Sequence, residues 1–206
     1  MLLILDFDGT LFDSVPHIHR GMTNVFGSCN LPVPTASDFL IHIRPPYIDY
    51  YRSRGVTLDA KEVDRLFIEK ANEPGATLFP DVVPAIERFA ANGHTLTIVS
   101  GNYAHRVRTP LEIAGIDKHF VAIHGEHEDK VEAIKSLVRM YGDSNGSLMV
   151  GDTVLDILHA RQADVPALGI IRHPDFECVG PHLIEAGAIA CVRSLPEVED
   201  FIEKAL

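Results

Sequence analysis

The amino-acid sequence predicts an α/β protein in which a doubly wound parallel sheet carries an inserted helical unit. Short apolar runs recur along the later part of the chain with a helical pattern after each of them, the alternation that builds a parallel sheet. The first such run, Leu2-Leu3-Ile4-Leu5, stands apart from the rest, separated from them by a long stretch of purely helical pattern. Polar residues able to do chemistry gather where these runs end, the edge at which such sheets bind ligands.

Taken in order, Leu2 to Leu5 lead straight into Asp6-Phe7-Asp8-Gly9-Thr10-Leu11-Phe12-Asp13-Ser14. A short apolar run with turn residues behind it reads as a buried strand. A hairpin at Asp8-Gly9 would need a second alternating strand, but Val15, Ile18, Met22, Val25 and Phe26 follow at helical spacing. The pattern stays helical from 15 to 75. Thr35 with Asp38, and Asp59 with Glu62, resemble capping boxes, while Pro45-Pro46 and Gly55 punctuate the segment.

From Leu78 the chain alternates: a helix from Asp81 to Asn92, a strand from His94 to Val99, helical residues after Asn102, and a strand from Phe120 to His124. A helix from Asp129 to Tyr141, a strand from Ser147 to Val150, a helix from Val154 to Ala163 and a strand from Ala167 to Ile171 continue it. Weaker elements follow at Pro181 to Gly187, Ala188 to Val192 and Pro196 to Lys204. Thr109-Pro110-Leu111-Glu112 reads as a helix start, so a break and a second short helix are expected there. A lone strand cannot satisfy its backbone groups in a core, so the first one must join the later sheet. The expected division is a core of residues 1–14 and 76–206, with 15–75 a helical cap over the sheet edge that carries Asp6.

Composition narrows the function. With 206 residues, 46% hydrophobic and 23% charged, the chain reads as an ordinary soluble protein. A formal charge of −11 repels a polyphosphate backbone and welcomes divalent cations, so nucleic acid is not an expected partner. The opening apolar run meets Asp6 too soon for a signal or membrane segment, and no later run approaches a membrane span; no membrane partner and a cytoplasmic location are expected. Three cysteines without a Cys-x-x-Cys pair read as reduced thiols in fairly apolar surroundings. Among the eleven histidines, the His17/His19 and His124/His127 pairs lack zinc-ligand spacing or a third ligand, and the set reads as scattered surface residues.

The candidate site lies where the strands end. Asp6 and Asp8, two apart, project to the same side, and their repulsion must be relieved by a cation or a proton. Ser100 ends Leu96-Thr97-Ile98-Val99, Asp152 follows Leu148-Met149-Val150-Gly151, and Lys130 lies just beyond Phe120-Val121-Ala122-Ile123. Any one of them would serve as a helix cap, but polar groups of complementary charge around one crevice favour a phosphate and metal site.

These residues carry a family resemblance. Asp6-Phe7-Asp8-Gly9-Thr10-Leu11 resembles the first motif of the haloacid dehalogenase-like (HAD) superfamily, in its phosphoglycolate phosphatase-like branch with a helical cap. Ser100-Gly101-Asn102 resembles the second motif, Lys130 the third, and Gly151-Asp152-Thr153-Val154-Leu155-Asp156 the fourth. The resemblance implies a Rossmann-like core and a Mg²⁺-dependent phosphatase of small phosphorylated metabolites, with phosphoglycolate the best single guess. It implies Asp6 as nucleophile, Asp8 as general acid and base, and Mg²⁺ held by Asp6, the Asp8 backbone carbonyl and Asp152, with Asp156 orienting metal-bound water or Lys130. Gly9, Thr10, Ser100, Gly101, Asn102 and Lys130 would surround the phosphoryl oxygens, Asn102 opening a helix aimed at them. Two departures stand out: Val131 follows Lys130 where proline is usual, and Arg44 precedes Pro45-Pro46 where a small residue is expected. Arg44 is a candidate clamp for a substrate carboxylate. A phosphosugar mutase shares the same groups, and a phospho-acceptor signalling module shares the acidic pocket, hydroxyl and lysine; both remain alternatives.

Overall fold

Leu2, Leu3, Ile4 and Leu5 have no exposed surface, so their backbone groups must be paired on both sides. In the computed structural model, which describes residues 1–71, 74–126, 129–142 and 146–205, they form β1 (Leu2–Leu5) at the centre of a sheet. Parallel neighbours flank it, β2 (Thr95–Val99) on one side and β4 (Ser147–Gly151) on the other. With β3 (Phe120–His124), β5 (Ala167–Ile170) and β6 (Ala190–Val192) the order is β3-β2-β1-β4-β5-β6, every pair parallel. The chain builds outward from β1 to β3, then crosses back to β4, so the switch point lies between β1 and β4.

Alternate residues of β1 serve opposite faces. Leu2 and Ile4 pack with residues of α7 (Val131–Tyr141), α8 (Val154–Gln162) and α9 (Gly180–Ala186), among them Ile134, Ile157 and Leu183. Leu3 and Leu5 pack with residues of α5 (Val82–Ala91), α6 (Ala104–Ile113) and α10 (Leu195–Ala205), among them Phe89, Leu111 and Val198.

After β1 the chain forms α1 (Val15–Ser28), α2 (Ala36–His42), α3 (Ile48–Arg52) and α4 (Ala60–Ala71). Met22, Phe26, Ile43, Tyr51 and Val63 make an apolar cluster of their own among these helices. Leu40 of α2 packs instead with the core cluster of Ile157 and Leu183, so the insertion rests on the core through α2. The two connecting segments are zipped together: Asp13 N–H donates to Thr77 O at 2.8 Å and Phe79 N–H to Leu11 O at 3.0 Å.

The break expected at Thr109-Pro110 does not occur. Helix α6 runs through Pro110 because Val107 and Leu111, one turn apart and fully buried, anchor a single axis on the sheet. Packing outweighs the missing amide donor. Only half of the capping box expected at Thr35 forms: its hydroxyl accepts from Asp38 N–H at 3.1 Å, but the Asp38 carboxylate turns to Tyr50 and Arg54. The histidines are not all on the surface, since His17 and His159 are buried, and Cys178 is exposed rather than in apolar surroundings. His127 lies outside the described residues, as does Glu73 at the return from the insertion. No described helix is long and apolar enough to cross a membrane.

Candidate active site

The parallel ladder places the first acidic residues. Asp6 N–H donates to Val150 O at 2.9 Å, continuing β1 beside β4, so Asp6 and Asp152 emerge together at the switch point. Gly9 turns the loop at φ +77° with its α-carbon against Asp152; a β-carbon there would lie 2.1 Å from Asp152 Oδ2. Only glycine fits.

The start of α8 sets Asp156. Thr153 accepts from Asp156 N–H at 3.1 Å, while Asp156 Oδ2 accepts from Thr153 N–H at 3.1 Å and from its hydroxyl at 2.6 Å. This reciprocal cap fixes the carboxylate and leaves Oδ1 facing Lys130, whose ammonium donates to it at 2.7 Å. The same ammonium donates to Asp6 Oδ1. Lys130 and Asp156 are both at least nine-tenths buried, so this is a desolvated Asp6–Lys130–Asp156 bridge.

Asp152 is left over. Its Oδ1 is buried with no hydrogen-bond partner among the described residues. Ligand atoms of Asp6, Asp152 and Asp156 all lie within 4.8 Å of one another, the one such grouping among the described residues. Three carboxylates thus share one ammonium. Burial, opposed by Lys130 and reinforced by Asp156, pushes Asp6 up to about 7. Burial and the charges of Asp6 and Asp156 hold Asp152 well above the usual carboxylate range. For Asp156 burial acts in the same sense, but Lys130 and Thr153 outweigh it and bring its pKa below the usual value. Burial likewise opposes the Lys130 charge, yet Asp156 and Asp6 together raise its pKa. Three buried carboxylates facing one ammonium leave the cluster short of positive charge.

Asp8 sits across the loop, its Oδ2 accepting from Asn102 Nδ2 at 3.1 Å. Burial raises its pKa, and hydrogen bonds from Ser14 and Asn102 pull partly back. Ser100 is buried at the end of β2 and its hydroxyl accepts from Asn102 N–H at 3.0 Å.

The expected phosphate cradle differs in detail. Gly9 N–H donates to Phe12 O at 2.8 Å and Thr10 N–H to Phe7 O at 3.3 Å. Phe7 O also takes Leu11 and Phe12 N–H, so the turn closes on itself and engages those two amides. Asn102 does not open α6: Tyr103 is the N-cap residue, and Asn102 instead accepts from Tyr103 N–H at 2.9 Å and holds Asp8. Gly101 is exposed beside it. Arg44 folds back, Nη1 donating to Ile41 O at 3.0 Å and Ile43 O at 2.6 Å. On the Asp152 side of the crevice Gly9, Asp152, Leu40 and Phe176 line a mostly apolar cavity of about 10 Å³, too small for a substrate.

Three residues at this edge escape a reading of motifs. Arg172 and His173 follow β5 and reach the Asp6–Asp13 loop, and Asp81 meets Arg172 at 2.8 Å. Arg172 carries a signal like that of Asp6 and Asp152, a charged residue just beyond a buried strand, whereas Asp81 carries none.

Residues 3–170 match the family described as haloacid dehalogenase-like hydrolase, and the chain belongs to that family. It is 27% identical over 200 residues to a phosphoglycolate phosphatase of Mesorhizobium japonicum, covering 89% of this chain and 86% of the relative. It is 26% identical over 182 residues to the pyrophosphatase PpaX of Oceanobacillus iheyensis, covering 82% of each. Among solved structures, a haloacid dehalogenase-like family hydrolase from Streptococcus pneumoniae superposes with a TM-score of 0.75 at 21% identity over 97% of both chains, a likeness of fold. The chain is thus a HAD-family hydrolase whose relatives are named as phosphatases.

Proposed function

We propose that the protein is a Mg²⁺-dependent phosphatase of small phosphomonoesters, with phosphoglycolate the first substrate to test, acting through an aspartyl phosphate on Asp6. The observation that carries this reading is the buried carboxylate trio with one ammonium and an Asp152 Oδ1 that has no partner among the described residues. Those oxygens fit a hard divalent cation: Asp6 and Asp152 would hold it with the Asp8 backbone carbonyl, and Asp156 would stand behind them. When bound, Mg²⁺ supplies charge neutralisation and Lewis acidity toward a phosphoryl oxygen.

The chain's own residues do the rest. Lys130, bonded to Asp6 Oδ1, fixes the rotation of the nucleophilic carboxylate and offers positive charge to the phosphoryl group. An Asp6 oxygen attacks phosphorus as the bond to the leaving oxygen breaks, and Asp8 gives its proton to that oxygen. Burial favours the protonated Asp8 this needs. Water then attacks the phosphorus of phospho-Asp6, Asp8 takes its proton, and phosphate leaves with the Asp6 carboxylate restored. Asn102 keeps Asp8 in place, and Ser100 and Gly101 line the phosphoryl side. The helices of residues 15–75 act as a cap that limits substrate size and excludes water over the core of residues 1–14 and 76–206.

Phosphate release is the test, measured over phosphoglycolate, sugar phosphates, pyrophosphate and p-nitrophenyl phosphate, with Mg²⁺ and with EDTA. The expected result is Mg²⁺-dependent release with a preference for small monoesters. No release from any of these in Mg²⁺ would overturn the reading.

A further inference from the structure

We propose that Arg172 is a positioning residue that clamps the loop between Asp6 and Asp13 in its reactive conformation. The inference rests on the phosphatase reading above. Arg172 leaves the end of β5 with a side chain only 5% exposed. Its Nε donates to Thr10 O at 2.8 Å, and its Nη1 donates to Asp81 Oδ2 at 2.8 Å. Asp81 Oδ2 is held in turn by Leu195 N–H at 2.8 Å, so the far end of the clamp is anchored at the start of α10. The guanidinium lies 4.5 Å from the centre of the Phe79 ring, which leaves it little room to swing. Its Nη2 is buried without a partner among the described residues, a cost that a guanidinium serving only solubility would not carry.

The next residue extends the grip. His173 Nε2 lies 3.0 Å from Asp13 Oδ1, with Phe79 and Phe176 beside its ring. Two consecutive residues therefore add two side-chain holds to a loop that otherwise closes on Phe7 O and is tied by backbone hydrogen bonds to Thr77 and Phe79. Thr10 is fully buried and lies two residues from Asp8 and one from Gly9, whose α-carbon sits against Asp152. Tilting the Thr10 carbonyl would move the proposed acid and the wall of the proposed metal site together, and displacements near 1 Å cost roughly a hundredfold in rate. The planar fork of arginine aims Nε and Nη1 at the two acceptors in fixed directions, whereas a lysine ammonium is a single point charge on a flexible stem.

The test combines kinetics with amide exchange on Arg172→Met, Arg172→Lys and Asp81→Asn. With p-nitrophenyl phosphate and saturating Mg²⁺, kcat is expected to fall about 10- to 100-fold in Arg172→Met with KM within about threefold. Arg172→Lys is expected to recover part of that loss, and Asp81→Asn to fall between it and wild type. Amide exchange at residues 7–12 is expected to rise at least about tenfold in Arg172→Met while β1 and β4 stay protected. A folded Arg172→Met with kcat within twofold of wild type and unchanged loop exchange would overturn the proposal. So would exchange that rises equally across the whole sheet, which marks plain destabilisation. If Arg172→Met does not fold, the Lys and Asn variants decide by the same criteria. If wild type releases no phosphate, the phosphatase reading falls, and loop exchange alone decides whether Arg172 holds the loop.

Discussion

The crevice and the helices of residues 15–75, the proposed cap, handle polar side chains in opposite ways. In the cap, Asp38 is saturated: Oδ2 accepts from Tyr50 hydroxyl at 2.8 Å and Arg54 Nη2 at 2.7 Å, while Oδ1 pairs with His42 at 3.0 Å. Arg54 also stacks over Tyr50, 3.8 Å from the ring centre. In the crevice three carboxylates face one ammonium, and an Asp152 oxygen has no partner among the described residues. A saturated network holds a shape; an unsaturated one waits for a ligand. Substitutions in the crevice should therefore cost activity while relieving strain, and substitutions in the cap should cost stability while sparing chemistry.

Asp6→Asn gives the largest expected effect. Removing the proposed nucleophile should lower kcat by at least about 10³-fold in the phosphate-release assay. Near-normal turnover would move the nucleophile elsewhere.

Asp152→Asn tests the contrast most directly. Activity should drop about a hundredfold or more, while the Mg²⁺-free protein should gain about 1–2 kcal/mol in denaturant melts because a buried like charge is gone. For wild type, Mg²⁺ at a hundred times Kd should add about 2.7 kcal/mol, roughly 5–10 °C in Tm; the variant should lose most of that shift. The sign of the pH dependence follows. Asp6 and Asp152 have folded pKa values raised above the unfolded ones, Asp6 to about 7, so between pH 4 and 7 the folded state binds more protons. Stability in EDTA should fall as pH rises through that window, and less steeply in Asp152→Asn. A rise with pH would contradict the unsaturated cluster.

Asp38→Ala should do the reverse, costing about 2 kcal/mol through the loss of hydrogen bonds to Tyr50 and Arg54. Its kcat should stay within about threefold of wild type. A large kcat loss without a stability loss would place Asp38 in the chemistry.

The sequence shows the fold more fully than the site's wiring, for a physical reason. Runs such as Leu2 to Leu5 and Leu148 to Val150 are buried on both faces, and burial imprints local patterns that reading along the chain recovers. That Asp6, Ser100, Lys130 and Asp152 follow strands or begin helices is equally local. Which oxygen Lys130 bonds, however, depends on a Thr153–Asp156 cap in another segment. Arg172 and Thr10 are 162 residues apart, and nothing in either neighbourhood announces the other. Pro110 erred the other way: the local signal was strong, but Val107 and Leu111 bury into one core and override it.

Arg44 gives the smallest expected effect and the finest test of the contrast. Its position invites a role as a substrate clamp, yet Nη1 is committed to the carbonyls of Ile41 and Ile43, the turn that leads into Pro45-Pro46. A guanidinium used this way closes the end of α2, satisfying carbonyls that the helix leaves open. Reaching a substrate carboxylate would require breaking those bonds, and the new ion pair must exceed them before KM falls. If the saturated cap is the right description, Arg44→Gln should change KM less than about threefold, and equally for phosphoglycolate and p-nitrophenyl phosphate, which lacks a carboxylate. A KM rise of tenfold or more confined to phosphoglycolate would show that the guanidinium swings to the substrate when the cap closes. The cap would then share the crevice's logic, holding a charge in reserve for the ligand.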